Sequence, residues 1–297
     1  MTSASRRRPW RPNRLDAFLL LAVAAGAAWL AWRFRAGLDY DWHWSVLPQY
    51  LLRHDPRQGW QAGLLLQGLF TTLKLSLWTM LLATPLGFAM GLLRVSPLPF
   101  RQLLGQSYVG VVRNLPPLIL IFIGYFFVSD QLLPLAGLDE LARSAPPHVQ
   151  RLVSLLFVPP ERLLQFFSAL VTLALFEGAY ITEIVRSGIR SVDSGQWQAA
   201  AALGLNRSQQ LRDVILPQAV QRIIPPLAGQ FISTIKDSSI VSVISIQELT
   251  FQGMELMSTT YLTLEVWIVV TLLYLTLTLT CSLLLARVER YLRRSLA

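Results

Sequence analysis

Lysine is nearly missing from this chain: there are two among 297 residues, and neither Lys74 nor Lys236 follows a glycine. The phosphate-cradling pattern GxxxxGK[ST] is therefore absent, and the chain does not bind a nucleoside triphosphate by that route. A single cysteine, Cys281, excludes an internal disulfide, and its place in an apolar run suits a small buried side chain. The three histidines, His43, His54 and His148, stand far apart and offer no metal-ligand spacing. No GxSxG elbow occurs, and isolated histidines assemble no nucleophile–base set, so a membrane enzyme with catalytic residues is disfavoured. Charge is scarce too: 14% of residues are charged while 53% are hydrophobic. A soluble domain rarely carries so little charge.

What the chain has instead is a series of apolar runs of about 18 residues or more, long enough to cross a bilayer. They fall at about 15–32, 63–93, 108–128, 163–185, 223–246 and 262–286. The predicted fold class is all-α, a polytopic membrane protein of about six transmembrane helices. The formal charge of +9 could suggest nucleic acid, but the arginines sit in loops and tails beside the apolar runs, as the positive-inside rule places them. The partner they imply is the bilayer, with no nucleic acid.

Residues 1–14 make a basic tail with five arginines. The run that follows is too long for a signal peptide's core and has no small-residue cleavage site after it, so it reads as a retained first span. With the Trp-rich segment after it, residues 15–62 form an extra first helix and an external segment. In the second run Lys74 can snorkel outward, and Gly87 and Gly91 make a small-residue packing face. The third carries a helix break near its start, at Pro116-Pro117. Residues 129–161 are proline-rich and mixed in charge, an external insertion expected to hold a short helix. The main transmembrane domain is 63–290, with a loop at 187–222, and 291–297 is a basic tail. Six crossings put both termini on one side, with sixteen Lys and Arg against seven on the other, so that side is the cytoplasm.

The segment from Gly195 to Pro217 is a soluble stretch inside this apolar chain. Asp193 can cap a helix with Gln196 reaching back, and Ala199–Ala202 is strongly helix-forming. Gly204 supplies a left-handed stop, Asn206 caps a second helix with Gln209, and Pro217 ends or kinks it. A small-residue helix of this kind fits a groove on another protein, although a plain Ala-rich surface hairpin reads the same way.

The spacing resembles the cytoplasmic motif of importer permeases of the ATP-binding cassette type: Glu-Ala-Ala, three residues, Gly, nine residues, Ile, one residue, Leu-Pro. Gln198, Ala199 and Ala200 stand at the triplet, Gly204 follows in register with Leu205 after it, then Val214, and Leu216-Pro217 close it. Gln198 replaces the motif glutamate and removes a charge, and Val214 replaces isoleucine. Arg113-Asn114-Leu115-Pro116, the stretch from Ala179 through Glu183 and Arg186 to Gly188, and Lys236-Asp237-Ser238-Ser239 are similar to the polar-amino-acid branch of that family. The resemblance covers about 63–290. It implies two ATP-binding cassette ATPase subunits that bind the ATP, a second permease, identical or paralogous, and an extracytoplasmic solute-binding protein. It implies no cofactor in this chain, no catalytic residue and no metal, and a coupling helix at 194–217.

Intramembrane polar residues are the other candidates, because a charge in hydrocarbon costs about 2.5–3.5 kcal/mol or more unless paired or wetted. Glu183 and Arg186 share a helix face and read as a structural pair. Lys236 and Asp237 point about 100° apart, so one faces a pore or another helix, by substrate contact or by an internal ion pair. Glu177 lies about 13 Å deeper than Arg186 along its helix. It either meets a substrate ammonium group or is protonated or hydrogen-bonded to another helix. Arg113 and Asn114 complete the candidate substrate path. The alternative to an ATP-driven importer is a stand-alone secondary transporter or channel, which usually shows an internal repeat. No convincing repeat is visible here.

Overall fold

The computed structural model describes residues 14–37, 40–56, 59–128, 131, 137 and 144–295. It divides into two units, Met1–His43 and Trp44–Ala297. In the first, helix α1 (Arg14–Gly37) covers the predicted first span, its apolar part being Leu15–Gly26. Of the two basic tails, 1–14 and 291–297, residues 1–13 and 296–297 lie outside the described residues.

The second unit begins with a short helix α2 (Pro48–Leu51) and an antiparallel hairpin, β1 (Leu52–Asp55) against β2 (Gly59–Ala62), with His54 opposite Trp60. The sequence had marked this segment only as interfacial. Helix α3 (Leu64–Val95) then runs unbroken through Pro85. It packs along α7 (Leu163–Arg190), the most enclosed helix of the unit. The predicted glycine face makes that approach. A Cβ on Gly87 would stand 2.6 Å from Ile181, and one on Gly91 2.6 Å from Val185. Only a residue without a side chain lets the two backbones come so close.

The third predicted run breaks where the sequence places the break. It is two helices, α4 (Pro99–Asn114) and α5 (Pro117–Phe127), bent by 112°. Pro116 and Pro117 lack amide donors, so the helix stops at Asn114 and restarts in a new direction. The short helix expected in the 129–161 insertion is α6 (Pro147–Leu156). Lys74 turns to it: its Nζ donates to the Ser154 carbonyl at 2.9 Å, beside Trp78 Nε1 on Leu156 O at 3.0 Å. Cations favour the open carbonyls of a helix C-terminus.

After α7 come α8 (Ser194–Ala202), one turn α9 (Arg207–Gln209), a π-helical turn (Gln210–Ile215) and α10 (Leu216–Asp237). A 3₁₀ stretch (Ser238–Ile244), α11 (Leu249–Thr260) and α12 (Thr263–Ser295) complete the unit. Among the described residues three helices are long and apolar enough to cross a membrane, Leu64–Val95, Pro160–Arg190 and Thr263–Val288, and four if the bent pair is one span. Of the six predicted runs, α1 (Arg14–Gly37) is a helix of 24 residues, and in α10 the charges Arg222, Lys236 and Asp237 and the prolines 225 and 226 interrupt the apolar run. The molecule is all-α in its architecture.

Candidate functional site

The loop between α7 and α10 is built as a rigid spur. Asp193 Oδ1 accepts from Gly195 N at 2.6 Å and caps α8. Gln196 does not reach back as the capping-box pattern predicts. Its Oε1 accepts from Gln218 Nε2 at 3.2 Å, a bond across to α10 that the sequence spacing hides. The chain leaves α8 through Gly204 at φ +78°, the predicted left-handed stop. Asn206 and Gln209 form a full capping box, with bonds of 3.0 and 2.9 Å.

Before Pro217 the helix capped by Asn206 passes into a π-helical turn, and a new helix, α10, begins at Leu216. Pro217 sits in the first turn of α10, where an amide needs no partner, and the preceding π turn absorbs the mismatch. Two further contacts tie the spur down. The Arg207 guanidinium lies 3.7 Å from the centre of the Trp197 ring, and Arg222 donates to the Ser191 carbonyl.

The motif residues divide by exposure. Gln198, Ala199, Gly204 and Pro217 face outward, as does Leu203 at 81% exposure. Ala200 is 2% exposed, and Leu205 and Leu216 are half-buried, with Leu216 in the cluster around Ile215 and Ala219. Those three hold the spur to its own chain, leaving the others free to meet a partner.

At the root of the spur Glu183 accepts from Arg186 Nε at 2.8 Å and also pairs with Arg94 of α3. The i,i+3 spacing reveals the first arginine. The second comes from a distant part of the sequence and shows only in three dimensions.

The intramembrane candidates do not gather into one site. Arg113 lies 5.2 Å over the Tyr180 ring, and Asn114 Nδ2 donates to Gly110 O at 2.8 Å, closing the end of its own helix. Glu177 is fully enclosed, with Oε2 accepting from Gln230 Nε2 of α10 at 2.7 Å. Lys236 is exposed and Asp237 half-buried, and no ion pair joins them among the described residues.

A polar knot that the sequence did not single out lies at the N-terminus of α11. Glu248, fully buried, accepts from Phe251 N at 2.8 Å, Thr250 N at 2.9 Å and Tyr274 OH of α12 at 2.7 Å. Thr72 of α3 takes the Leu249 amide at 3.1 Å. Glutamate is not among the favoured capping residues, so the local pattern gave no signal.

Residues 83–294 fit the model of the binding-protein-dependent transport system inner membrane component. The chain belongs to that family. It is 34% identical over 230 residues to the probable glutamine ABC transporter permease protein GlnM of Bacillus subtilis, covering 77% of this chain and 94% of the relative. With the glutamine transport system permease protein GlnP of Escherichia coli the identity is 32% over 259 residues, covering 85% and 98%. Among solved structures, an amino acid ABC transporter described as crystallised with histidines matches at a TM-score of 0.59 and 32% identity. That match covers 77% of this chain and 94% of the other. This family member is a transport component and not an enzyme.

Proposed function

We propose that this chain is the transmembrane permease subunit of an ATP-driven importer that carries polar amino acids across the bacterial cytoplasmic membrane. The observation that carries the reading is α8: an outward-facing helix of small residues, capped at both ends, followed at once by Gly204 and the exposed Leu203. A helix fixed this firmly to α7 and α10 moves with them as one lever. The names of the relatives supply the solute class.

In this reading two ATPase subunits dock on the spurs of this chain and a second permease, identical or paralogous. A solute-binding protein delivers substrate from outside. ATP closes the ATPases, the spurs follow, and the spans open outward. ATP is bound by the partner subunits, and this chain binds no cofactor. Both termini lie in the cytoplasm. The domain limits stay as the sequence suggests, with 63–290 as the transport body and 187–222 as the coupling loop. Outside the loop, at its root, Glu183, Arg94 and Arg186 brace the lever. Glu177, fully enclosed, ties α7 to α10 through Oε2 to Gln230, while its Oε1 has no partner among the described residues.

Purification of the tagged chain from its own membrane, followed by amino-acid uptake in vesicles, tests the proposal. The expected result is a copurifying ATPase and uptake that stops when ATP is withdrawn. Uptake driven by a proton or sodium gradient without ATP would favour a secondary transporter.

A further inference from the structure

The arginines around the foot of the spur divide into two groups. Arg94 and Arg186 are taken by Glu183, and Arg222 donates to the Ser191 carbonyl. Arg101, Arg190 and Arg207 are exposed, and none of them pairs with a carboxylate among the described residues. They come from three separate elements, the first turn of α4, the last turn of α7 and the single turn α9.

Two adjoining grooves bring the three together. One, of about 320 Å³, is lined by Arg101, Arg207 and the turn from α3 to α4. The other, of about 310 Å³, is lined by Arg190, Arg207 and Gln102. Val95, Trp197 and Arg207 line both, so the grooves meet along the Trp197–Arg207 stack. No aspartate or glutamate is among the described lining residues of either. Asp193, between two lining residues of the second groove, is held at the Gly195 amide as the cap of α8. A cleft lined by charge of one sign concentrates the opposite ion, and guanidinium groups match phosphate oxygens with paired hydrogen bonds.

The surroundings narrow the choice of anion. The first groove lies at the end of the apolar span Leu64–Val95. Beside it the first turns of α4 expose Phe100, at 71%, with Leu103 and Leu104. Cations next to an open apolar face suit a molecule with a charged head and apolar chains. The exposed residues offered to an ATPase, Gln198, Ala199 and Leu203, line neither groove.

We propose that the two grooves hold the headgroup of an anionic phospholipid of the cytoplasmic leaflet, one that carries two phosphates. Arg101 and Arg207 take one phosphate, Arg190 and Arg207 take the other, and the acyl chains lie along Phe100, Leu103 and Leu104. The lipid then ties the α3–α4 turn to the spur. This rests on the topology proposed above, which puts the spur on the cytoplasmic side.

The test uses the purified full chain with whatever subunits copurify, delipidated in detergent and titrated with cardiolipin or phosphatidylethanolamine. Native mass spectrometry reads the bound lipid. Cardiolipin should bind at least tenfold more tightly than phosphatidylethanolamine. Arg101→Gln/Arg190→Gln, which keeps the Arg207 stack, should raise the Kd for cardiolipin at least tenfold. Arg287→Gln/Arg290→Gln removes the same charge from the end of α12 and should leave that Kd unchanged. Equal Kd values for the two lipids, or equal losses in the two double variants, overturn the site. Displacement of cardiolipin by inorganic phosphate would make the cleft a site for a free anion and overturn the lipid. Loss of copurifying ATPase from the Arg101→Gln/Arg190→Gln chain, with cardiolipin binding intact, would give these arginines to a protein partner and overturn it too. None of these failures touches the importer reading, which depends on ATPase copurification and ATP-driven uptake by the wild type. Labelling of a cysteine at position 208 from outside the cell would fail the topology itself.

Discussion

Gly204 concentrates at one residue what the coupling spur needs. Its φ of +78° costs a residue with a Cβ on the order of 1 kcal/mol, while no atom lies within 4 Å of where that Cβ would sit. Gly204→Ala therefore adds only the backbone term and should transport nearly normally. If an ATPase groove closes on this segment as proposed, Gly204→Asp places a carboxylate in it, and an unpaired buried charge costs several kcal/mol. Its expected phenotype is a normal membrane level with copurifying ATPase lost. A wild-type transport rate with the ATPase still bound would remove this segment from the coupling role. Glu177 answers a different question. Glu177→Gln deletes a buried charge but leaves an amide oxygen to accept from Gln230, so the melting temperature of the purified protein should hold or rise. A clear fall would mean the charge itself is needed in place. Spacing alone exposed the Glu183–Arg186 pair, since three residues on a helix share a face. Arg94, the other partner of Glu183, lies too far away in sequence for any local pattern to supply it.

At the scale of elements, the spur is stabilised from outside its own helix. A nine-residue helix is marginal in water, so α8 depends on the Asp193 cap, the buried Ala200, the bond from Gln218 and the Trp197–Arg207 stack. A desolvated cation–π contact is worth about 2 kcal/mol, and an exposed one roughly 0.5–1. Trp197→Ala should thus speed amide exchange across α8 without changing α3 or α7, and should lower ATP-driven transport. Hydrogen-exchange mass spectrometry reads the first effect, and unaltered protection of α8 would show that the stack is dispensable. The existence and both ends of α8 follow from the sequence, because caps and glycine stops act locally. Its fixation to α10 does not, because Gln196 carried an equally good local role in the capping box and tertiary contact outbid it.

For the whole molecule, the proposed topology puts 187–222 in the cytoplasm and 129–161 outside, on the strength of the arginine asymmetry. In a variant with Cys281 replaced by serine, a cysteine at position 208 should be shielded from an impermeant reagent in intact cells, and one at position 144 should react. The reverse pattern would invert the topology and end the idea that an ATPase docks on α8. Composition and hydropathy were enough to establish an all-helical membrane protein with a soluble coupling segment, since apolar length, arginine placement and helix caps are properties of neighbouring residues. They were not enough for the course of the chain inside that envelope. The bend at Pro116-Pro117 reads as a local break, but its 112° angle depends on what α5 packs against. Pro217 reads as a helix boundary, but the π turn that precedes it does not follow from the local pattern. Glu248 joins Thr72, Thr250 and Tyr274 across three helices. Contacts between residues dozens of positions apart leave no period in a sequence. Only the tertiary fold decides which polar groups inside the bundle find partners and which are left open.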